Sequence, residues 1–238
     1  MSAFLHKRVL VVGGSSGIGQ ATASAATERG GRVTIASRSP ERLAAAVRDL
    51  PQGVEQAVLD VRDGAGVERF FGEGPVWDHV VICGAETPMA SVREQPMAEA
   101  HAAMDSKFWG AYRVARSAKL ADTGSLTLVS GILSQRPWPG IGVQSAINAA
   151  VEALGRALAL ELAPVRVNTV SPGLIATPLW DDMEDAAREA MFARATARLP
   201  VRRIGTPADV ASLILELAGN GFATGSTVYL DGGSLITA

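Results

Sequence analysis

The 238-residue chain contains a single cysteine, Cys83, and this scarcity limits its chemistry. One cysteine cannot form an internal disulfide or a cluster of thiolate metal ligands. The histidines, His6, His79 and His101, fit no metal-ligand spacing, so we predict no metal site. A lone strand cysteine is usually a small apolar core residue, although Cys83 could also face a ligand.

An excess of charge of one sign is missing, and so are long apolar runs. The net charge of −2 gives no basic field to hold nucleic acid or an anionic membrane. No apolar run reaches the roughly 18 residues of a membrane span. The N-terminus also lacks the apolar stretch of a signal peptide. We therefore expect a cytoplasmic protein that binds neither nucleic acid nor membrane.

Lysine and tyrosine are scarce as well. The 22 basic residues include only the lysines Lys7, Lys107 and Lys119, and the only tyrosines are Tyr112 and Tyr229. A reaction that needs either side chain at a defined place must use one of these positions.

What is present is a regular alternation of short apolar runs and alanine-rich amphipathic stretches. Runs with the composition of buried strands lie at 8–12, 32–36, 55–60, 79–83, 125–130, 165–171 and 226–230. Helical patterns lie at 17–29, 40–50, 63–71, 96–120, 143–162, 180–198 and 207–218. This alternation predicts a Rossmann-type α/β fold, a doubly wound parallel sheet of seven strands with helices on both faces. Composition does not change along the chain, so we predict one domain over residues 1–238.

A glycine-rich turn follows the first predicted strand. It would bring backbone N–H groups and a helix start against a pyrophosphate, where side chains would block the approach. The predicted cofactor contacts here are Gly13, Ser15, Ser16, Gly17, Ile18 and Gly19. The alternative is a glycine-rich turn without a ligand.

The end of the second predicted strand indicates which dinucleotide would bind. Ser37 stands where an acidic residue would bond the ribose 2′-hydroxyl, and Arg38 follows it. An arginine pairs with a 2′-phosphate, whereas a carboxylate would repel it. We predict NADP(H) as the cofactor, with Arg38 as an ordinary solvated loop residue as the alternative.

These features and several downstream segments resemble the short-chain dehydrogenase/reductase family over almost the whole chain. The matching segments are the glycine loop at 13–19, Asp60-Val61, Asn168 to Thr177, Arg203-x-Gly205-x-Pro207-x-Asp209, Thr224-Gly225 and Asp231-Gly232-Gly233. The resemblance implies further cofactor contacts from Asp60, Val61, Gly84, Ala85, Asn148, Pro172, Gly173, Ile175 and Thr177. Of these, Asp60-Val61 would lie at the adenine, and Ile175 and Thr177 at the nicotinamide carboxamide.

The family's catalytic asparagine, serine, tyrosine and lysine are absent from the matching positions. Lys107 falls on the asparagine, Gly131 on the serine, and Gln144 and Asn148 on the tyrosine and lysine. Neither tyrosine of this chain lies where it could replace the missing donor, and glutamine can only hydrogen-bond. Ordinary ketone reduction by the family mechanism should therefore be crippled. The candidate catalytic residues are Gln144, Asn148, Lys107 and Ser130, which precedes Gly131.

Three interpretations remain open. The protein could be an oxidoreductase for a substrate that needs no enzyme acid, such as an imine or iminium, with Gln144 orienting it. Another group could replace the tyrosine. Lys107 is the best candidate because desolvation would lower its pKa, unless it is a surface helix lysine. Alternatively, the protein could bind NADP(H) without chemistry, as a sensor or an assembly partner.

Apolar residues after Thr177 suggest a substrate lid near 178–200. Together with Trp138 before Gln144, they favour a small, mostly apolar substrate, although they could equally pack on the core. The helix predicted at 143–162 is apolar on more than one side. In the family this helix and the one at 96–120 form a subunit interface, so the resemblance implies a homo-oligomer, a dimer or a tetramer.

Overall fold

The computed structural model describes residues 3–84 and 87–237, which form a seven-stranded parallel sheet covered by helices. The strands are β1 Arg8–Val12, β2 Arg32–Ser37, β3 Glu55–Val58, β4 Trp77–Ile82, β5 Leu120–Val129, β6 Arg166–Pro172 and β7 Thr227–Leu230. The α-helices are α1 Gly17–Glu28, α2 Pro40–Asp49, α3 Gly64–Glu73, α4 Met97–Met104, α5 Gly110–Ser117, α6 Gly142–Glu161, α7 Asp185–Arg198 and α8 Pro207–Gly219.

The strand order is β3-β2-β1-β4-β5-β6-β7, and every neighbouring pair is parallel. The order reverses between β1 and β4, which lie side by side with Val12 opposite Ile82. In doubly wound sheets, ligands bind outside the carboxyl ends of the strands at such a reversal. The predicted fold class is confirmed, and the reversal predicts a ligand site at the carboxyl ends of β1 and β4.

Apolar side chains on the two faces of the sheet form two cores. One packs α1, α2 and α8 against the sheet, with Leu43 and Ile214 fully enclosed. The other packs α3, α5 and α6 against the opposite face, around Phe71 and Ile147. A parallel sheet needs cover on both sides, which explains why the central strands β1 and β4 are buried along most of their length rather than at alternate residues.

Two predicted helices and one predicted strand differ clearly from the observed elements. The helix predicted over 96–120 is α4 and α5 joined by a π-helical turn, Asp105–Trp109, and it ends at Ser117. The helix predicted over 180–198 consists of a 3₁₀ turn, Pro178–Trp180, followed by α7. β5 begins at Leu120, five residues before the predicted strand, because Trp77 of β4 pairs with it there.

Within the described ranges, no helix is both long enough and apolar enough to cross a bilayer. The same ranges contain no group of three or more histidine, cysteine or acidic side chains arranged to hold a metal ion.

Candidate active site and cofactor cleft

A cleft of about 240 Å³ opens at the carboxyl ends of β1, β2, β3 and β4. Most of the predicted cofactor contacts from the first half of the chain line it. Its walls are Val12, Gly13, Ser15, Ser16, Ser37, Arg38, Ser39, Arg42, Leu59, Asp60, Val61, Arg62, Gly84 and Ser106. The cleft therefore combines the glycine turn with the ends of the second and third strands, as a dinucleotide site at a sheet reversal requires.

The glycine turn brings two backbone segments closer than side chains would allow. Gly13 has φ of 80°, and a Cβ atom there would lie 2.2 Å from the Gly84 nitrogen. A Cβ on Gly19 would lie 2.1 Å from the Gly13 oxygen. Ser16 is the N-cap residue of α1, and its side chain makes no capping hydrogen bond. The first backbone N–H groups of α1 therefore receive no hydrogen bond from the Ser16 side chain. This arrangement fits the binding of a pyrophosphate.

Two arginines surround the end of β2. Arg38 and Arg42 both line the cleft and are both exposed. The Arg42 guanidinium donates to Ser16 Oγ at 3.2 Å, which links α2 to the glycine turn. Sequence reasoning found Arg38 but missed Arg42. The available signal was its position, since Arg42 lies in the first turn of the helix that begins at Pro40, directly after the end of β2.

Asp60 lies in the cleft wall and is held by a neighbouring arginine. Arg62 donates to both carboxylate oxygens of Asp60, at 2.6 Å for the shortest contact. These hydrogen bonds lower the pKa of Asp60 below its ordinary value. Asp60 is thus kept ionised in a fixed orientation beside Val61, where the resemblance implies adenine contacts.

The nicotinamide end of the predicted site is built by the segment after β6. Pro172 ends β6, Gly173 packs against the Asp231 backbone, and buried Ile175 bridges to Gly205. Thr177 reaches the glycine turn, because a Cβ atom on Gly17 would meet its side chain at 3.5 Å. The structure therefore brings this segment to the same edge of the sheet as the cleft.

Lys107 lies in the π-helical turn between α4 and α5 and points into the protein. Its ammonium donates to Asn148 Oδ1 at 2.7 Å and to the Ser130 carbonyl at 3.0 Å. Desolvation lowers the pKa of Lys107 to about 8, and the negative charge of Glu152 acts in the opposite direction by raising it. Lys107 is partly buried, so it is not the surface helix lysine that the sequence left as an alternative.

Buried polar groups surround the Lys107 contacts. The Ser130 hydroxyl, which has one proton to donate, lies between two acceptors, the Asn148 carbonyl at 3.0 Å and Glu152 Oε1 at 3.2 Å. Asn148 and Glu152 are 2% and 3% exposed and lie one helical turn apart on α6. Sequence reasoning missed Glu152, although a single acid within an apolar helix segment was visible.

Gln144 and Gly131 shape the remaining wall. The Gln144 amide nitrogen donates to Thr87 Oγ1 at 2.9 Å. Its oxygen is buried and has no hydrogen-bond partner among residues 3–84 and 87–237. A Cβ atom on Gly131 would lie 2.9 Å from the Asn148 amide nitrogen, so glycine leaves room for that amide.

Ile18 and Cys83 do not line the cleft. Ile18 packs on the core from the first turn of α1, which leaves its backbone as the part that could meet a cofactor. Ala85 lies outside the described residues. Cys83 packs against the core, and burial raises the pKa of its thiol to about 12, which favours the apolar interpretation.

Comparison with known proteins agrees with the fold. A family model described as enoyl-(acyl carrier protein) reductase matches residues 12–234. The short-chain dehydrogenase/reductase malC of Malbranchea aurantiaca is 30% identical over 251 residues, covering 97% of this chain and 95% of that protein.

Two solved structures are similar over nearly their full length. A small-chain dehydrogenase in complex with NADPH has a TM-score of 0.81 and 33% identity, covering 97% of this chain and 99% of that one. An NADPH-bound short chain oxidoreductase from Pseudomonas aeruginosa PAO1, described as containing an atypical catalytic center, has a TM-score of 0.86 and 28% identity. The match covers 96% of each chain.

The fold and the cleft define a protein of the dinucleotide-binding, doubly wound α/β class. With these matches the assignment becomes more specific: the chain belongs to the short-chain dehydrogenase/reductase family.

Proposed function

We propose that this protein is an NADP(H)-dependent oxidoreductase that reduces a small, mostly apolar C=N or C=O substrate without a catalytic tyrosine. The observation that carries the proposal is the position of the Lys107 ammonium, which is fixed by its hydrogen bonds to Asn148 and to the Ser130 carbonyl. In this proposal Lys107 does the work that the family divides between a tyrosine and a lysine.

The arginines at the end of β2 support NADP(H) over NAD(H). Arg38 and Arg42 place two guanidinium groups beside Ser37, where no carboxylate would repel a 2′-phosphate. Both solved relatives described above bind NADPH. Charge-assisted contacts of this kind are worth roughly 1.5–3 kcal/mol each.

Lys107 can supply the proton that a reduced heteroatom needs. Bound NADPH would supply the hydride. With a pKa of about 8, Lys107 is mostly protonated at neutral pH and still gives up its proton readily. Two of its three N–H donors are used by Asn148 and Ser130, which leaves one for a substrate atom. General acid catalysis contributes about 10²–10⁴-fold to a rate.

Gln144 favours a substrate that carries an N–H group. Its amide nitrogen is committed to Thr87, while its buried oxygen has no partner in the described part of the chain. An imine that has been protonated on nitrogen, or the amine formed from it, can donate an N–H to that oxygen, whereas a ketone cannot. A buried acceptor left without a donor costs about 1–3 kcal/mol, so the site would discriminate between the two.

The lid region and the helix faces support the two remaining predictions. Leu179 and Trp138 are exposed beside the site and would contact an apolar substrate. Trp109 and Tyr112 on the α4–α5 side and Leu160 on α6 are also exposed, which supports the predicted homo-oligomer.

The first experiment is a calorimetric titration of the protein with NADPH and, separately, with NADH. We expect NADPH to bind at least about tenfold more tightly, the equivalent of one 1.4 kcal/mol contact. Arg42→Ala should reduce that preference, whereas Arg48→Ala, at the far end of the same helix, should not. Absence of binding of either cofactor at millimolar concentration would contradict the proposal.

The second experiment follows NADPH consumption with a panel of cyclic imines and matched ketones. We expect turnover of imines, a loss of about 10²-fold or more in Lys107→Met, and no loss in the control Lys119→Met. Binding of NADPH without consumption of any substrate would instead favour the sensor or assembly role. Turnover that survives in Lys107→Met would show that the substrate needs no enzyme acid.

A further inference from the structure

Glu152 is a buried carboxylate with an unusual number of donors. Its Oε1 accepts from Ser134 at 2.6 Å, Ser171 at 3.0 Å and Ser130 at 3.2 Å. Its Oε2 accepts from Tyr229 at 3.0 Å. These four hydroxyls come from β6, β7 and the end of β5 with the turn after it, so parts of the fold distant in sequence converge on one carboxylate.

The arrangement suits an ionised carboxylate. An ionised carboxylate only accepts hydrogen bonds, and here the hydroxyls of Ser134, Ser171 and Tyr229 donate to its two oxygens while that of Ser130 is shared with the Asn148 carbonyl. Burying such a charge without an opposite charge nearby would be costly. The ammonium that can balance it is Lys107, on the far side of Ser130.

Glu152 connects to Lys107 through the residues that hold Lys107. Ser130 Oγ bonds Glu152, while the Ser130 carbonyl accepts from Lys107. Asn148, the other acceptor of Lys107, lies one helical turn before Glu152 on α6, and its carbonyl is the second acceptor within reach of the Ser130 hydroxyl. Both acceptors of the ammonium are therefore fixed to the carboxylate cluster.

Two other charged side chains, Asp105 and Arg156, come from the same elements as Lys107 and Glu152. Asp105, in the same π-helical turn as Lys107, pairs with Arg113 at 2.7 Å. Arg156, one turn beyond Glu152 on α6, acts on Tyr229. Glu152 is thus the acidic group whose field acts on Lys107, and it opposes the desolvation that lowers the pKa of Lys107.

We propose that Glu152 is a positioning residue, whose buried charge fixes Ser130 and keeps the Lys107 ammonium protonated and aimed into the site. Its effect on turnover rests on the proposed role of Lys107 in catalysis. Its effect on the charge of Lys107 does not, and can be measured without cofactor or substrate.

The scarcity of lysine makes this measurement direct. Protein labelled with ¹³C at the lysine ε-carbons should give signals from Lys7, Lys107 and Lys119 only, and Lys107→Met assigns the relevant one. We expect Lys107 in the wild type to titrate near pH 8. In Glu152→Gln its proton affinity should fall, on the order of tenfold, because the variant removes an opposite charge that raises the pKa of Lys107.

The matched control is Glu161→Gln, which removes a carboxylate from the exposed end of the same helix and should leave Lys107 unchanged. If Glu152→Gln does not fold, Glu152→Asp keeps the charge but moves it by one methylene, and should weaken proton binding about two- to fourfold. An unchanged Lys107 titration in either Glu152 variant would overturn the proposal. A shifted titration in a protein that reduces no substrate would leave this proposal standing and remove the proposed function instead.

Discussion

At position 131 the absence of a side chain is explained by one neighbour, the amide of Asn148. The backbone of Gly131 is extended, with φ of 169°, a conformation that any residue adopts. Glycine is therefore not needed for the turn itself. It is needed because a Cβ atom would lie 2.9 Å from an Asn148 nitrogen that Lys107 holds in place through the amide oxygen.

This leads to a prediction about Gly131→Ala. The variant should lose about 1–3 kcal/mol of unfolding free energy, the usual cost of overpacking. In an Asn148→Ala background the same change should cost much less, because the clashing amide is gone. Urea unfolding of the two single variants and the double variant measures the coupling. Equal costs in both backgrounds would show that Asn148 is not the reason for the glycine.

Single residues also show what the sequence could and could not predict about the site. Lys107 and Asn148 were both visible as candidates, because the family pattern placed them. Their mutual contact was not visible, since 41 positions separate them and only the folded chain brings them together. Arg42 and Glu152 match no motif, and their roles depend on which way their helices face. Thr87, which orients Gln144, lies in a loop with no pattern of its own.

Among the elements, the start of α8 supports the segment that we predict to contact the nicotinamide. Thr206 and Asp209 form a reciprocal capping box, and Arg203 donates to both oxygens of Asp209. These hydrogen bonds, with those from Thr206, hold the pKa of Asp209 well below its usual range. Just before the cap, Gly205 exchanges backbone hydrogen bonds with the segment that contains Ile175.

We expect Asp209→Asn to lower the unfolding free energy by about 1 kcal/mol at pH 7, because the cap loses its charged acceptor. Asp182→Asn, which removes an exposed carboxylate before α7, is the control and should be close to neutral. Chemical denaturation of both variants checks the prediction. A loss no larger than in the control would show that the box does not stabilise the helix.

Helix α7, which lies in the predicted lid region, differs from the other long helices in its packing. None of its residues is buried, whereas α6 buries six. Elements with little buried surface open at low free energy. We expect amide hydrogens of α7 to exchange much faster than those of α6 in the apo protein. Addition of NADPH with a substrate should slow exchange in α7 selectively, and equal slowing in both helices would argue against a lid.

The helices and strands were largely predictable because each buried strand is a short apolar run between amphipathic stretches. The errors came where local pattern and tertiary structure differ. A π-helical turn has no separate sequence signature, so one helix was expected across Asp105–Trp109. β5 extends back to Leu120 through a stretch whose polar residues hid the strand, because pairing with β4 stabilises it.

For the whole molecule, His79 should make stability depend on pH. Its ring packs on Phe4 and contacts Ser125 at 2.9 Å, and burial lowers its pKa from 6.5 to about 4. The folded state therefore resists protonation, while the unfolded state accepts a proton below pH 6.5. The contribution of His79 to stability is complete above pH 6.5 and is lost as the pH falls toward 4.

The expected loss at pH 4 relative to pH 7 is on the order of 3 kcal/mol. His79→Asn can keep a hydrogen bond to Ser125 and should flatten this part of the stability profile. His101→Gln, at an exposed position, should leave it unchanged. Unfolding free energies measured between pH 7 and 4 test the prediction. A wild-type profile no steeper than that of His79→Asn would contradict it.

The contact between Lys107 and Asn148 also constrains how such a site could arise. Under the proposed correspondence, the two positions carry the family's asparagine and lysine in exchanged places. Changing one position at a time passes through a protein with two ammonium groups in contact or with none. The protein with two ammonium groups is destabilised by repulsion between like charges at close range. The protein with none lacks the positive charge in the site. A chain that evolved from the family pattern by single substitutions would therefore pass through a poorly functioning intermediate. We expect relatives to carry either both Lys107 and Asn148 or neither of them.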